Sequence, residues 1–195
     1  QGQGKYSAVG TVNVRTGKLS AYTKIAQGNL QNILQVAHIP VQNVKGSVDG
    51  EIRVQGTRKD PHVDVVGTLT QAALNGLNIE PSPVHIMYNG KTVTIRSLVL
   101  KSGDAVLAVK GRYSFYGPVH MQVALRKFPS TVLTGILGHT RLPLISPVDL
   151  VADIKGTAQQ LQADVSAQLN GGTINGIPFD KAYALGNFKQ GKFML

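Results

Sequence analysis

Two stretches of the chain, HVDVVGTLTQAALNGLNI (residues 62–79) and QADVSAQLNGGTINGIPF (residues 162–179), share one pattern and lie one hundred residues apart. Each contains Asp-Val, then Leu four residues later, then Asn-Gly between branched apolar residues. Asn-Gly between β-forming runs is the strongest short-range signal for a tight hairpin turn. Each stretch therefore predicts a strand that turns back at Asn-Gly, and the fixed spacing predicts one β unit built twice.

The correspondence extends without a gap over residues 46–95 and 146–195. Its identical pairs are Val48/Val148, Asp49/Asp149, Gly56/Gly156, Thr57/Thr157, Asp64/Asp164, Val65/Val165, Leu69/Leu169, Asn75/Asn175 and Gly76/Gly176. Residues 1–45 and 101–145 match in their apolar pattern more than in identity. Because no Pro-, Gly- or Ser-rich linker separates the copies, we expect a single continuous segment over 1–195 of a longer protein, with internal repeats of about 1–95 and 101–195.

Alternation of apolar and polar residues marks half-buried strands, and it is clearest over residues 119–125. We expect the apolar positions to share one inner face, and outer residues such as Thr92 and Gln122 to matter little. The predicted groove residues on this face are Ile52, Val54, Val63, Val65, Ile86, Val93, Ile95, Leu107, Val109, Val119, Met121, Val123, Leu125, Ile154, Val165 and Leu169.

Two segments break the β pattern. NLQNILQVAHIP (residues 29–40) and FPSTVLTGILGHTRLP (residues 128–143) space their apolar residues as a helix does, and the first ends at Pro40. They predict short amphipathic helices near 30–37 and 131–138. One helix per repeat does not cover a long apolar sheet face, which must be buried somehow. The predicted fold is mainly β: an elongated antiparallel sheet folded over into a β-taco, or β-groove, with a repeat of about 100 residues.

Composition limits the partners. The net charge is +10, but the basic residues are scattered and no aromatic-plus-basic motif accompanies them, so nucleic acid is not expected. This positive charge either keeps the protein soluble or attracts it to anionic lipid headgroups. There is no Cys, and no apolar run reaches the about 20 residues of a membrane span.

Catalytic patterns are missing from the sequence. The five His residues are dispersed, no Gly-x-Ser-x-Gly elbow occurs, and Gly90-Lys91-Thr92 lacks the upstream Gly of a phosphate loop. His62 and Asp64 share a strand face, and a solvated polar face is the better explanation of the two residues. We expect no enzyme activity, no cofactor and no metal.

A family resemblance rests on residues 46–67. Gly-Ser-Val-Asp-Gly (46–50), a strand, Gly56-Thr57, Pro61 and a strand ending at Gly67 follow a helical segment. This order resembles the TamB/AsmA-like superfamily of bridge-like envelope proteins, with TamB the closer of the two names. The second copy keeps Gly156-Thr157 but has Leu150, Leu161 and Ala167 where the first has Gly50, Pro61 and Gly67.

The resemblance implies a place and a role. It implies a periplasmic cell-envelope protein, anchored in the inner membrane by a helix outside this segment. Its hydrophobic groove would carry phospholipid acyl chains between inner and outer membrane, in outer-membrane biogenesis. The alternative is a translocation and assembly scaffold, or chaperone, for outer-membrane β-barrel proteins or autotransporters, working with an Omp85-family partner.

A third class, an extracellular β-rich adhesin, is disfavoured because the short repeats and the Asn or Thr ladders typical of it are missing from the sequence. The residues themselves do not separate lipid conduit from scaffold. We also expect end-to-end self-association through residues near 5–14 or 183–195, since unpaired strand edges tend to pair.

Overall fold

The computed structural model describes residues 4–36, 44–137, 144–157, 159–189 and 192–194. Within them the chain forms the helices α1 (Leu30–Val36) and α2 (Ser130–Leu137). The strands are β1 (Lys5–Val12), β2 (Lys18–Asn29), β3 (Val44–Thr57), β4 (Pro61–Leu74), β5 (Leu77–Ile79), β6 (Ser82–Tyr88), β7 (Thr92–Ser102), β8 (Ala105–Ser114), β9 (Pro118–Pro129), β10 (Leu144–Ile145), β11 (Pro147–Thr157), β12 (Gln160–Ile174), β13 (Ile177–Lys189) and β14 (Lys192–Met194).

All described strands belong to one antiparallel sheet, in which sequence neighbours are mostly spatial neighbours. β5 and β6 both pair with β4, and β10 and β11 both pair with β12. Among the described residues β1 and β14 each pair on one side only, so the sheet stays open. The predictions of a mainly β fold and of one continuous antiparallel sheet are confirmed.

The two Asn-Gly pairs form the predicted tight turns. Asn75-Gly76 joins β4 to β5, and Asn175-Gly176 joins β12 to β13. The four φ angles are 48° and 85° in the first turn and 51° and 79° in the second. Two consecutive positive φ angles define the type I′ turn, whose twist matches that of the flanking strands.

The helices lie where the sequence predicts them, each directly after a long strand. The Asn29 side chain accepts a hydrogen bond from the Asn32 backbone N–H at 3.0 Å, which caps the start of α1. The last predicted helical positions, Ala37 and Gly138, lie outside the described residues, as does Pro40. Neither helix in the described part of the chain is long and apolar enough to cross a membrane.

The core sits at the end of the sheet where the helices lie. One cluster of buried residues consists of Leu30, Val48, Leu69, Ala72 and Ile79. The other consists of Ala105, Leu125, Phe128 and Val132. Leu77 packs against both clusters, so the two helix-bearing regions share a continuous apolar layer.

Candidate functional site

The strand register places all the predicted groove residues on one face of the sheet, hereafter the apolar face. Residues directly opposite each other on paired strands share a face, and residues two apart along a strand do too. Ile52 pairs with Val65, Val65 with Ile86, and Ile86 with Ile95. The same row continues through Gly111, Met121, Ile154, Ala163 and Phe188.

Further rows run parallel to this one. One row lies nearer the strand ends that are far from the helices. It consists of Val54, Val63, Tyr88, Val93, Tyr113 and Val119. Another row lies nearer the helices and consists of Leu98, Val109, Val123, Ala152 and Val165. The remaining predicted residues also lie on this face, in the pairs Leu107–Leu125 and Val148–Leu169.

Burial along the apolar face is incomplete. Of the predicted residues, Val119 and Leu125 are buried, at 3% and 7% exposure, and all the others are partly buried. In the described part of the chain, the main contacts beyond hydrogen-bonded strand neighbours are those of the helices and of β5 with β7. The helices pack at one end, and much of the apolar face retains contact with solvent.

Such a face has one evident chemical capacity. Moving apolar surface out of water contributes about 25 cal/mol per Å², whatever the shape of the hydrocarbon that covers it. Contiguous apolar patches larger than a few hundred Å² on soluble domains mark interaction sites. The partly buried side chains of the apolar face are therefore a candidate contact surface for hydrocarbon.

Met121 lies at the middle of this face beside a glycine. It pairs with Gly111, whose φ is 138° and whose added Cβ would lie 2.7 Å from the Met121 Cα. A side chain at position 111 is thereby excluded, because the backbone of His120 and Met121 occupies its place. Methionine adapts to irregular apolar surroundings because its chain is unbranched and its sulfur is polarisable.

The opposite face, hereafter the polar face, carries the charges. Asp64 Oδ1 lies 2.8 Å from His85 Nε2, and Glu51 Oε2 lies 3.3 Å from the Arg53 guanidinium. A hydrogen bond from the Tyr22 hydroxyl, more than the charge of Arg53, lowers the pKa of Glu51. Exposed pairs of this kind stabilise a fold little, and they keep the polar face hydrated. Thr92 and Gln122, predicted to be outer residues, lie on this face.

Two aspartates hold the strand bends that lead into the helices, a role that the sequence alone does not reveal. Gln27 and Lys127 have φ angles of 53° and 45° at register shifts in β2 and β9. The backbone N–H of Gln27 donates to Asp49 Oδ1 at 2.8 Å, and that of Lys127 donates to Asp149 Oδ1 at 2.7 Å. Each carboxylate thus satisfies a backbone donor that the bulge removes from the sheet ladder.

A second bond anchors each aspartate to the next strand. The Thr70 hydroxyl donates to Asp49 Oδ2 at 3.1 Å, and the Asn170 amide donates to Asp149 Oδ2 at 2.8 Å. The Asp49/Asp149 identity was visible in the sequence. Its meaning was not, because a bulge is a feature of two strands together.

The strand edge at β1 is the other exposed feature. Every residue of β1 is exposed, including Tyr6 at 55% and Val9 at 69%. Among the described residues, β1 pairs with β2 on one side only, and its other side leaves a row of backbone donors and acceptors.

Among the described residues, no group of three or more His, Asp or Glu side chains is arranged to hold a metal ion. In comparisons with known proteins, no family model, curated protein or solved structure matches this chain.

Proposed function

We propose that the chain is a segment of a lipid conduit in the cell envelope, whose apolar face binds the acyl chains of phospholipids. The proposal rests on the common face of the groove residues, which are mostly partly buried and, within the described residues, are packed by helices at one end of the face. A sheet folded over along its length would turn this face into the wall of a groove. Each CH₂ group moved from water onto such a wall contributes about 0.8 kcal/mol when fully buried.

The internal repeat is consistent with a conduit, because a long groove can be built by repeating one β unit along the chain. Matched features at positions one hundred residues apart support it: the Asn-Gly turns, the positive φ at Gln27 and Lys127, and the two aspartate contacts. Repetition keeps the apolar rows in register from one copy to the next.

The location rests on the resemblance to the TamB/AsmA-like superfamily. It places the segment in the periplasm, within a protein anchored in the inner membrane, and the cargo would be phospholipid passing between the inner and outer membranes. The role is one of binding and transfer, without enzymatic chemistry.

The proposal is tested by a matched pair of charge substitutions. Met121→Glu puts a carboxylate on the apolar face, where burial of a charge is costly. Gln122→Glu puts the same charge one residue further along β9, on the exposed polar face. Phospholipid co-purifying with the protein should fall several-fold for Met121→Glu and stay unchanged for Gln122→Glu.

Thermal melts of the same samples show whether Met121→Glu remains folded. Equal lipid content in two well-folded variants would contradict the conduit. Should Met121→Glu unfold, Met121→Gln provides a milder polar change at the same site, for which the same loss of lipid is expected.

A second candidate function is supported by the β1 edge: a scaffold that pairs with strands of outer-membrane β-barrel proteins or autotransporters, beside an Omp85-family partner. An exposed edge accepts an added strand through its backbone groups. Gly10→Pro removes a backbone N–H and disturbs this edge. It should weaken client binding under the scaffold hypothesis and leave lipid content unchanged under the conduit hypothesis.

The β1 edge and the opposite edge of the sheet would allow end-to-end self-association of the segment, through residues near 5–14 or 183–195. Residues 190, 191 and 195 lie outside the described residues.

A further inference from the structure

The polar face carries a row of basic side chains that lie opposite one another across strands. Arg112 pairs with His120 in register, and His120 pairs with Lys155. One carboxylate serves two of them, since Asp153 lies 3.0 Å from Lys155 Nζ and 3.2 Å from His120 Nε2. Among the described residues, Arg112 makes no ion pair with this carboxylate.

Neighbouring carboxylates on this face are already engaged. Asp64 pairs with His85, and Glu51 pairs with Arg53. Arg96 donates from Nε to the Met87 sulfur at 2.9 Å, and a thioether is a weak acceptor. Within the described residues, neither Arg96 nor Arg112 has an ion-pair partner. Two guanidinium groups are left with donors to spare.

Both arginines border a depression in the polar face. It has a volume of about 470 Å³, and its lining includes Arg53, Arg96, Arg112, His62, Thr94 and Asp64, whose carboxylate is paired with His85. A neighbouring depression of about 540 Å³ shares Arg96 and Arg112 and adds Lys110 and His120. The two arginines therefore stand at the boundary of two concave, positively charged surfaces. Ligand sites in proteins commonly have volumes of this order.

We propose that this part of the polar face binds a phosphate group, with the guanidinium groups of Arg96 and Arg112 as its principal donors. The planar fork of an arginine matches two phosphate oxygens at once, which a lysine ammonium does not. The Thr94 hydroxyl supplies a further donor. The site lies on the face opposite the acyl-chain wall, so it is independent of the proposed conduit. A phospholipid headgroup and a soluble phosphate compound present the same chemistry here.

The test uses the whole chain and two probes. Pyrophosphate is titrated and followed by calorimetry or by NMR shifts. Vesicles of phosphatidylglycerol with phosphatidylcholine are compared with phosphatidylcholine alone by co-sedimentation. Arg112→Gln removes a principal donor, and Arg15→Gln makes the same charge change in the exposed β1–β2 turn.

Pyrophosphate should bind Arg112→Gln about tenfold more weakly than the unaltered chain, because a charge-assisted hydrogen bond is lost. Arg15→Gln should bind as the unaltered chain does. Vesicle capture that Arg112→Gln loses and Arg15→Gln keeps would support the site and identify a lipid headgroup as the source. Pyrophosphate binding without vesicle capture would support the site and identify a soluble phosphate compound.

Two results would overturn the proposal. One is that the unaltered chain binds neither probe. The other is that Arg15→Gln and Arg112→Gln weaken binding equally, since the effect would then follow net charge alone. Arg112 is exposed on the sheet surface, so its replacement is compatible with the fold, and a circular dichroism melt checks this.

Discussion

Residues 18–74 and 118–174 follow the same backbone path with largely different side chains. In both, a twelve-residue strand leads directly into a short helix, and the chain returns as the neighbouring strand. The registers agree position for position: Ile25 lies opposite Gly50, and Leu125 lies opposite Leu150. The identical residues include the aspartates, several turn residues and the apolar pairs Val48/Val148 and Leu69/Leu169, of which Val48, Val148 and Leu69 are buried, whereas other core positions differ.

The two cores differ at the positions where the strand leads into the helix. In the first region Leu30, at the start of α1, belongs to the buried cluster, and position 28 is a glycine. In the second region position 128 is Phe, 1% exposed, and position 130 is Ser. At these two positions the larger apolar side chain lies on the helix in the first region and on the strand in the second, where Val132 of α2 is also buried.

The change at Ser130 is accompanied by a change at its neighbour. The Ser146 backbone N–H donates to Ser130 Oγ at 3.1 Å, and Ser130 Oγ donates to the Leu144 carbonyl at 2.8 Å. These bonds lie at the break between β10 and β11. The first region has Leu30 and Gly46 at the equivalent places, and β3 runs through without a break. A buried polar pair thus stands where the first region has an apolar residue and a glycine, and the strand is interrupted at this place in the second region.

The largest effect is expected from emptying the second core. Phe128→Ala should lower the free energy of unfolding by about 3–5 kcal/mol, because a fully buried ring leaves a cavity. Leu30→Ala, in the first region, should cost less, about 2–4 kcal/mol, since a smaller side chain is removed. Urea denaturation followed by circular dichroism measures both. A larger loss for Leu30→Ala would show that the first region carries the main core.

An intermediate effect is expected from the aspartates that the two regions share. Asp49→Ala and Asp149→Ala should each lower the free energy of unfolding by about 1–3 kcal/mol, because the N–H of Gln27 or Lys127 loses its acceptor. Asp149→Asn keeps an oxygen at the acceptor position and should lose less than Asp149→Ala. A loss at one aspartate and none at the other would break the equivalence of the two regions.

The smallest effect concerns a contact found in one region only. Lys127 Nζ donates to Asp104 Oδ2 at 2.8 Å, and this hydrogen bond, with the lysine charge, holds the pKa of Asp104 below its ordinary value of 3.8. Lys127→Gln, which installs the residue present at position 27, should raise the pKa of Asp104 toward that value. NMR titration of the carboxyl carbon measures the change, and an unaltered pKa would contradict the assignment.

The direction of the accompanying pH dependence follows from the lowered pKa. The stabilising contact is complete above the ordinary pKa of Asp104 and is lost as the pH falls through its lower folded value. In Lys127→Gln this acid-side loss should be reduced, while the backbone bond from residue 127 to Asp149 remains. Acid titration of the two proteins side by side provides the check.

Local patterns in the sequence were enough for the elements and for the apolar face. Alternation within one strand, as over residues 119–125, fixes which side chains share a face without knowledge of any other strand. The Asn75-Gly76 and Asn175-Gly176 turns need only their own two residues to be recognised.

Features that depend on how two strands pair could not be predicted from the pattern within one strand. The bulges at Gln27 and Lys127 shift the register, and each shift changes which residues oppose one another. The row Arg112–His120–Lys155 depends on that register across three strands, so the sequence shows only scattered basic residues. The break at Ser146 depends on a hydrogen bond to a residue sixteen positions away.

Photo-crosslinking along β9 tests directly whether the apolar face binds hydrocarbon. A benzophenone amino acid is placed in turn at positions 121, 122, 123 and 124, and crosslinked phospholipid is identified by mass spectrometry. Positions 121 and 123 lie on the apolar face, and 122 and 124 lie on the polar face. Lipid adducts are expected at positions 121 and 123, and none at 122 and 124. Equal adducts at all four positions, or adducts at 122 and 124 alone, would contradict hydrocarbon binding by the apolar face.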